Sequence, residues 1–382
     1  MSDWSIGHRG ACMQYPEHTI RSYEAALVQG AGIVECDVTF TKDLELVCRH
    51  AQCDLHTTTD IVTRPEMNAK CTTPWAPGVA PKCCASDFTL AELKTLCAKM
   101  DARVADAETP EEYIGGTADW RTDLYTGECP SIPTHKESIE LIKGGGAKFT
   151  PELKSPQVEM PFNGFTQEMY AQKMIDEYVE AGVPPEHVWP QSFYWPDVTY
   201  WIENTDFGDQ AVALEGTYGA YAYNTTEMDD HFADIVAAGA KIIAPPMWML
   251  LDQDMGEMVA SAYTLYVKDK GMDIITWTLE RSGLLEAGGG WYFQTLNGGN
   301  DNSDTNLVEG DGFAFEMLEA LHQEVGILGI FSDWPATTTF YANCMDLGIA
   351  AVDEEEEEED ESASNAYSFH AGVFLMLAWM AF

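Results

Sequence analysis

The sequence predicts an α/β fold: a closed, distorted (β/α)8 barrel with an extra β-hairpin strand and a long insertion after it. Three observations lead there. Eight short apolar runs recur along the chain, each bounded by turn or helix signals. Helix-length amphipathic stretches lie between most of them and tend to close on glycine, the rhythm of parallel α/β folds. One connection is far too short for a parallel crossover, which takes a dozen or more residues, so it must be a hairpin.

In chain order, the strands are expected around Ser5–Arg9, Ile33–Phe40, Lys148–Lys154, Val188–Phe193, Ala211–Gly216, Lys241–Pro245, Asp273–Leu279 and Gly329–Trp334. The stretch "TIRSYEAALVQGAG" sets Ile20, Tyr23, Ala26 and Leu27 on one helical stripe and ends at glycine. "TQEMYAQKMIDEYVEAGV" and "TEMDDHFADIVAAGA" repeat that pattern. The short connection is "TKD" in "VECDVTFTKDLELVCRHA", which makes Glu45–His50 a hairpin strand outside the eight. Residues 51–147 form an insertion with irregular stretches, a helical stripe in "TLAELKTLCAKM" and a returning helix in "THKESIELIKGGG". A loop of that length in a compact domain is usually functional, and its expected place is over the barrel mouth. Residues 288–312, rich in Gly, Asn and Asp, read as a solvated loop, and the Met and aromatic residues of "PPMWMLLDQDM" read as packing. The barrel domain is thus assigned to residues 1–350, and an acidic linker with a hydrophobic tail to residues 351–382.

Charge narrows the partners. The formal net charge is -43, and removing the nine consecutive acidic residues Asp353–Glu361 still leaves -34. An acidic body disfavours nucleic acid and anionic membrane surfaces, both of which select basic patches. No C-x-x-C pair occurs among the ten cysteines, which argues against a zinc ribbon. Six cysteines fall between residues 53 and 129, a clustering that reads as disulfides formed in an oxidising compartment. At the C-terminus, small residues Ser362–Ala366 precede a short spacer and a 12-residue apolar tail. This is the layout of a lipid-anchor attachment signal, too short to span a bilayer. "MSDWSIGHRG" has no signal-peptide character, so an N-terminal secretory segment is expected to be missing from the sequence. The location expected is extracellular, periplasmic or at the cell surface.

The chemistry lies on the strand ends. His8 and Arg9 follow strand one. Glu35 and Asp37 alternate onto one face of strand two, as do Glu152 and Lys154 on strand three. His50 ends the hairpin strand. Three converging carboxylates stay ionised together only around a cation, and oxygen ligands select a hard ion, Ca²⁺ or Mg²⁺. Arg9 and Lys154 beside it imply an anionic ligand such as a phosphate. Two histidines supply an acid and a base. The reaction that uses all seven groups is phosphodiester cleavage.

These segments resemble the glycerophosphodiester phosphodiesterases: "GHRG" followed by "PEHT", "VECDV", "TKD", "VCRH" with "HTTTD", and "TPELKS", then "PQSF", "ITWTL" and "IFSDWP". The resemblance covers most of residues 5–340 and is nearest the secreted branch with a cysteine-containing insert. It implies a TIM-type barrel that hydrolyses a glycerophosphodiester, such as glycerophosphocholine, to an alcohol and sn-glycerol 3-phosphate. It implies His8 and His50 as the acid–base pair, Glu35, Asp37 and Glu152 as holders of one divalent cation, and Arg9 and Lys154 as phosphate contacts. It also implies Glu17, steadying Arg9, as a substrate-pocket residue together with Trp277, and Gln191 and Glu215 are further candidates for that pocket. Two positions depart from the family pattern: His50 is followed by Ala51 where His-Asp is common, and His18 stands in place of the Asn of Pro-Glu-Asn-Thr. An acidic rim at the mouth favours a cationic head group such as choline. Two other readings compete. A sphingomyelinase-type phospholipase D on a similar barrel has a much shorter connection after the hairpin histidine. A non-catalytic cell-surface barrel predicts a degraded site, whereas all seven groups are present here.

Overall fold

The computed structural model describes residues 1–122, 129–298 and 306–348. The strands are β1 (Ser2–Gly7), β2 (Ala31–Phe40), β3 (Leu46–Cys48), β4 (Lys148–Leu153), β5 (Gln191–Ser192), β6 (Val212–Leu214), β7 (Ile242–Ala244), β8 (Leu251–Asp254), β9 (Glu257–Ala260), β10 (Asp273–Leu279) and β11 (Gly329–Ser332). Eight of them pair in parallel in the order β1-β11-β10-β7-β6-β5-β4-β2, and β2 pairs back to β1 (Ile6 opposite Ile33), which closes the barrel. β3 lies antiparallel on β2, with Val38 opposite Cys48. All eight expected strands and the hairpin strand are therefore present.

Strand alternation divides the core. Ile6, Ile33, Val212, Leu214, Ile242, Ala244, Ile275 and Phe331 fill the barrel interior. The other face of the strands packs against the helices through a larger cluster that includes Val34, Phe149, Trp201, Phe232 and Ile274. The first helix, α1 (Ile20–Val28), starts where the Thr19 side chain accepts from the Ser22 N–H. α2 (His135–Gly144) opens on a Thr134/Glu137 capping box, and α3 (Gln167–Glu180) on Thr166. α3 runs out at Gly182, where a φ of 65° continues the chain toward the next strand. Among the described residues no helix is long and apolar enough to cross a membrane.

Three expectations need correction. The stripe of "TLAELKTLCAKM" yields one helical turn, Leu90–Leu93, because Cys97 is bonded to Cys129 and its N–H donates to Asp60 at 2.9 Å. Tertiary links override the local periodicity there. "LLDQDM" is not only packing: β8 and β9 form a separate hairpin, turned by Met255 (φ 50°) and Gly256 (φ 86°). The stretch from residue 288 is not simply a solvated loop: Gly290–Phe293 is a 3₁₀ turn, and Phe293 and Leu296 are buried.

The insertion has a small core of its own, which includes Leu55, Ile61, Phe88, Leu93, Leu96, Tyr113 and Ile132. Disulfides Cys53–Cys84, Cys71–Cys83 and Cys97–Cys129 staple it, and Cys36–Cys48 ties β2 to β3. Cys12 is free and buried, and Cys344 is free and exposed. Arg121, late in the insertion, donates to the Cys12 carbonyl at 2.5 Å, which fixes that stretch beside the segment that follows β1. The acidic run and the apolar tail lie outside the described residues.

Candidate active site

The site forms at the C-terminal ends of the parallel strands, where barrels of this class carry their chemistry. One cavity of about 580 Å³ there is lined by His8, Arg9, Glu35, His50, Glu152, Lys154, Gln191 and Trp277, among others. The chain leaves β1 through Arg9 (φ 57°) and Gly10 (φ 89°). Gly10 is demanded by space as well as by φ, because a Cβ there meets the Ser22 carbonyl oxygen at 2.7 Å.

On β2, Glu35 and Asp37 face inward, and the β2–β4 register sets Asp37 opposite Glu152. Ligand oxygens of Glu35, Asp37 and Glu152 all lie within 4.8 Å of one another. Burial and the neighbouring charges of Asp37 and Glu152 push the Glu35 carboxyl well above its ordinary range. Burial likewise drives Glu152 up to about 8, against the pull of Lys154. Asp37 goes the other way: burial opposes ionisation, but Lys154, His18 and Arg9 outweigh it and hold the carboxyl low. Lys154 Nζ reaches Glu152 at 2.6 Å and Asp37 Oδ1 at 3.9 Å. Asp37 Oδ1 and Gln191 Oε1 are buried acceptors without a hydrogen-bond partner. An all-oxygen set with orphaned acceptors fits a hard divalent cation.

The two histidines differ in support. His8 Nδ1 lies 2.5 Å from Asp333 Oδ1, and its Nε2 is 3.7 Å from Glu35. Burial lowers its pKa to about 4 against the opposing charge of Asp333, so the imidazole is neutral near pH 7. Nδ1–H donating to Asp333 leaves Nε2 as the free base, the tautomer assigned from this network. His50 is partly exposed, and burial together with Arg9 and Lys154 keeps its pKa well below the ordinary value. The Arg9 guanidinium donates to Glu17 at 2.8 Å, and the Arg9 backbone N–H donates to Glu35 at 3.0 Å. Glu17 is corrected as a pocket residue: it is wholly buried behind Arg9 and does not line the cavity. Gln191 donates to Glu35 at 3.0 Å.

Glu215 is corrected. It is fully buried, does not line the cavity, and accepts from His231 at 2.8 Å, Tyr263 at 3.3 Å and the Thr217 N–H at 2.5 Å. It braces the outer side of β6. Neither departure leaves a gap. His18, at φ 52°, donates or accepts between Asp37 (2.8 Å) and Tyr23 (2.9 Å). The Ala51 N–H donates to Asp54 at 3.2 Å.

Sequence reasoning missed several groups. Asp333, one residue beyond β11, lies in the quoted "IFSDWP", and its place at the C-terminal end of the last strand was the available signal. Arg281 donates to Asp333 at 3.0 Å and approaches Glu17 at 3.4 Å, adding a third cation to the cavity. His8, Cys12 and Asp333 also cluster, but the Arg281 guanidinium, 3.3 Å from Cys12, already supplies the positive charge there. Tyr218, Trp291 and Tyr292 line the cavity from connections that no periodicity could aim.

The chain is similar to several known proteins. An "Extracellular protein" of Arthroderma benhamiae is 38% identical over 258 residues, which cover 65% of this chain and all of that protein. A glycerophosphodiester phosphodiesterase of Arabidopsis thaliana is 36% identical over 155 residues, 40% of this chain and 37% of that protein. The structure of an Oleispira antarctica phosphodiesterase, in complex with the product sn-glycerol-3-phosphate, superposes with a TM-score of 0.52 at 17% identity, over 88% of this chain and 96% of that one. This last likeness concerns the fold. Residues 8–335 match the model of the glycerophosphoryl diester phosphodiesterase family, and the chain belongs to that family.

Proposed function

We propose that the protein hydrolyses glycerophosphodiesters to an alcohol and sn-glycerol 3-phosphate, with a divalent cation, Ca²⁺ or Mg²⁺, held by Glu35, Asp37 and Glu152. The observation that carries this reading is the convergence at one cavity wall of Glu35, Glu152, the cations Arg9 and Lys154 and two histidines held neutral, with Asp37 buried just behind the wall and its ligand oxygen within 4.8 Å of those of Glu35 and Glu152. The product named for the Oleispira structure supports the choice of reaction. When bound, such a cation polarises a phosphoryl oxygen and offsets charge in the transition state. Arg9 and Lys154 hold the phosphate and fix its orientation, and Gln191 and Glu17 keep their neighbours in place. His8 takes a proton at Nε2 while Asp333 stabilises the imidazolium. His50, on the hairpin strand, handles the second proton, at the leaving alcohol. The nucleophile is the adjacent glycerol hydroxyl, which gives a cyclic phosphate for water to open, or water itself.

The test is glycerol phosphate release from a glycerophosphodiester by metal-stripped protein, then with Ca²⁺ or Mg²⁺ restored, with His50→Ala alongside. Activity that returns with one ion and is lost in the variant supports the assignment. Wild-type protein that stays inactive on several diesters with every ion refutes it. The four disulfides and the extracellular relative support an oxidising location outside the cytosol. The lipid-anchor reading of the tail is part of the same proposal. So is the division into a barrel over residues 1–350, with its insertion at 51–147, and a tail over 351–382.

A further inference from the structure

The cavity has two chemically different ends. Its three cations, Arg9, Lys154 and Arg281, all sit at the carboxylate end and are engaged with carboxylates. The other end is aromatic. Trp277 and Trp291 lie 6.2 Å apart between centroids with planes inclined by 28°. Tyr218 meets Trp291 at 5.2 Å and 68°, and Trp277 at 6.4 Å and 58°, so the three rings make a corner. Tyr292 and Phe193 extend it, at 4.9 Å from Trp291 and 5.8 Å from Trp277.

The corner is pre-organised and poor in hydrogen-bonding groups. The Trp277 indole N–H donates to the Ala244 carbonyl at 2.8 Å. With its amide turned to accept, Gln294 takes the indole N–H groups of Trp291 and Trp248, each at 3.2 Å. Both cavity indoles are thus anchored by their polar edges, which leaves neither indole N–H free for a ligand. The polar atoms left in these five rings are the hydroxyls of Tyr218 and Tyr292. A polyol head group needs many donors and acceptors, and a primary ammonium needs about three acceptors. A quaternary ammonium needs none and is drawn to aromatic faces by the ring quadrupole. Lys154 Nζ stands 5.9 Å from the centroid of the Phe193 ring, the outlying member of the group.

We propose that Tyr218, Trp277 and Trp291 form a quaternary-ammonium subsite, so that the preferred substrates are zwitterionic diesters with a trimethylammonium head group. This rests on the hydrolase reading above, and it replaces the acidic rim expected from sequence with an aromatic corner.

The test compares glycerophosphocholine with its uncharged carbon isostere, the 3,3-dimethylbutyl diester, in the wild type and in Trp291→Leu. Trp291 is partly solvent-exposed, so the variant is expected to fold. Wild type should favour the choline diester in kcat/KM by about 3- to 30-fold, the range of a partly desolvated cation–π contact. Trp291→Leu should bring that ratio toward one. A wild-type ratio near one, or a ratio unchanged in the variant, overturns the proposal. Tryptophan fluorescence titrated with tetramethylammonium or tert-butanol reads the same corner without catalysis. If neither diester is cleaved, selective binding of tetramethylammonium that Trp291→Leu abolishes upholds the subsite while the hydrolase reading falls. Equal weak binding of both probes overturns the subsite whatever the enzyme does.

Discussion

Asp333→Asn separates geometry from proton transfer. The carboxylate bridges His8 Nδ1 at 2.5 Å and Arg281 Nη1 at 3.0 Å. An asparagine has one acceptor and one donor end for these two partners, and Arg281 can only donate. Satisfying the charged guanidinium is worth roughly 1.5–3 kcal/mol, against about 0.5–1.5 for a neutral imidazole bond, so the carbonyl turns to Arg281. The amide NH₂ then faces Nδ1, which moves the His8 proton to Nε2, the atom proposed to accept one from the reacting hydroxyl or water. General-base catalysis contributes typically about 10²- to 10⁴-fold. The expected loss in kcat is of that size, about 3–5 kcal/mol of barrier, with little change in Tm because the side-chain volume is kept. Steady-state kinetics gives the first number, and ¹⁵N imidazole shifts report the tautomer independently. A variant with kcat within about threefold of wild type, or one whose His8 keeps its proton on Nδ1, would refute the reasoning.

Other expectations follow from the same structure. Cys97→Ser with Cys129→Ser opens a loop spanning 32 residues; chain entropy puts the cost at about 3–4 kcal/mol, and a urea midpoint unchanged from wild type would contradict it. Asp197, buried beside Ser192 and Gln167, has its pKa raised by burial to about 6. Its contribution to stability is therefore full below about pH 4 and lost as pH rises to about 6, by roughly 3 kcal/mol. Asp197→Asn should flatten that stretch of the Tm–pH curve, and an identical slope in both proteins would rule the assignment out. Glu215→Gln should lower Tm through the His231 and Tyr263 contacts while kcat/KM stays within about twofold; a large kinetic defect would return Glu215 to the pocket.

Much of the barrel was legible because it is repetitive. Apolar runs ended by helix caps and glycines give the eight strands, and the two-residue period of β2 and β4 gives Glu35, Asp37, Glu152 and Lys154 a common side. The rest was hidden for identifiable reasons. Asp333 and Arg281 act across the barrel, 325 and 52 residues from the partners they bind. Trp291 lies in a stretch whose Gly and Asn content signals a loop without saying which way it folds. Glu215 directly follows β6, much as Glu152 and Lys154 stand at the end of β4, and only the helix-borne His231 shows that it is spoken for. The β8–β9 hairpin was lost inside a Met-rich run whose hydrophobicity suits packing equally well.

The cross-links of the insertion run only within it, and this bears on the order of assembly. β2 and β4 are neighbours in the barrel, yet roughly 100 residues separate β3 from β4. Until those two strands meet, Asp37 has no Glu152 opposite it, and the proposed cation site does not exist. Once Cys53–Cys84 and Cys97–Cys129 have formed, the covalent path across the gap shortens to roughly 40 residues. Loop closure is then easier by about 0.8 kcal/mol, or roughly fourfold in probability. Disulfide formation before β2 and β4 meet thus shortens that search, whereas a chain whose cysteines are still reduced must bring the two strands together across the full, unbridged span.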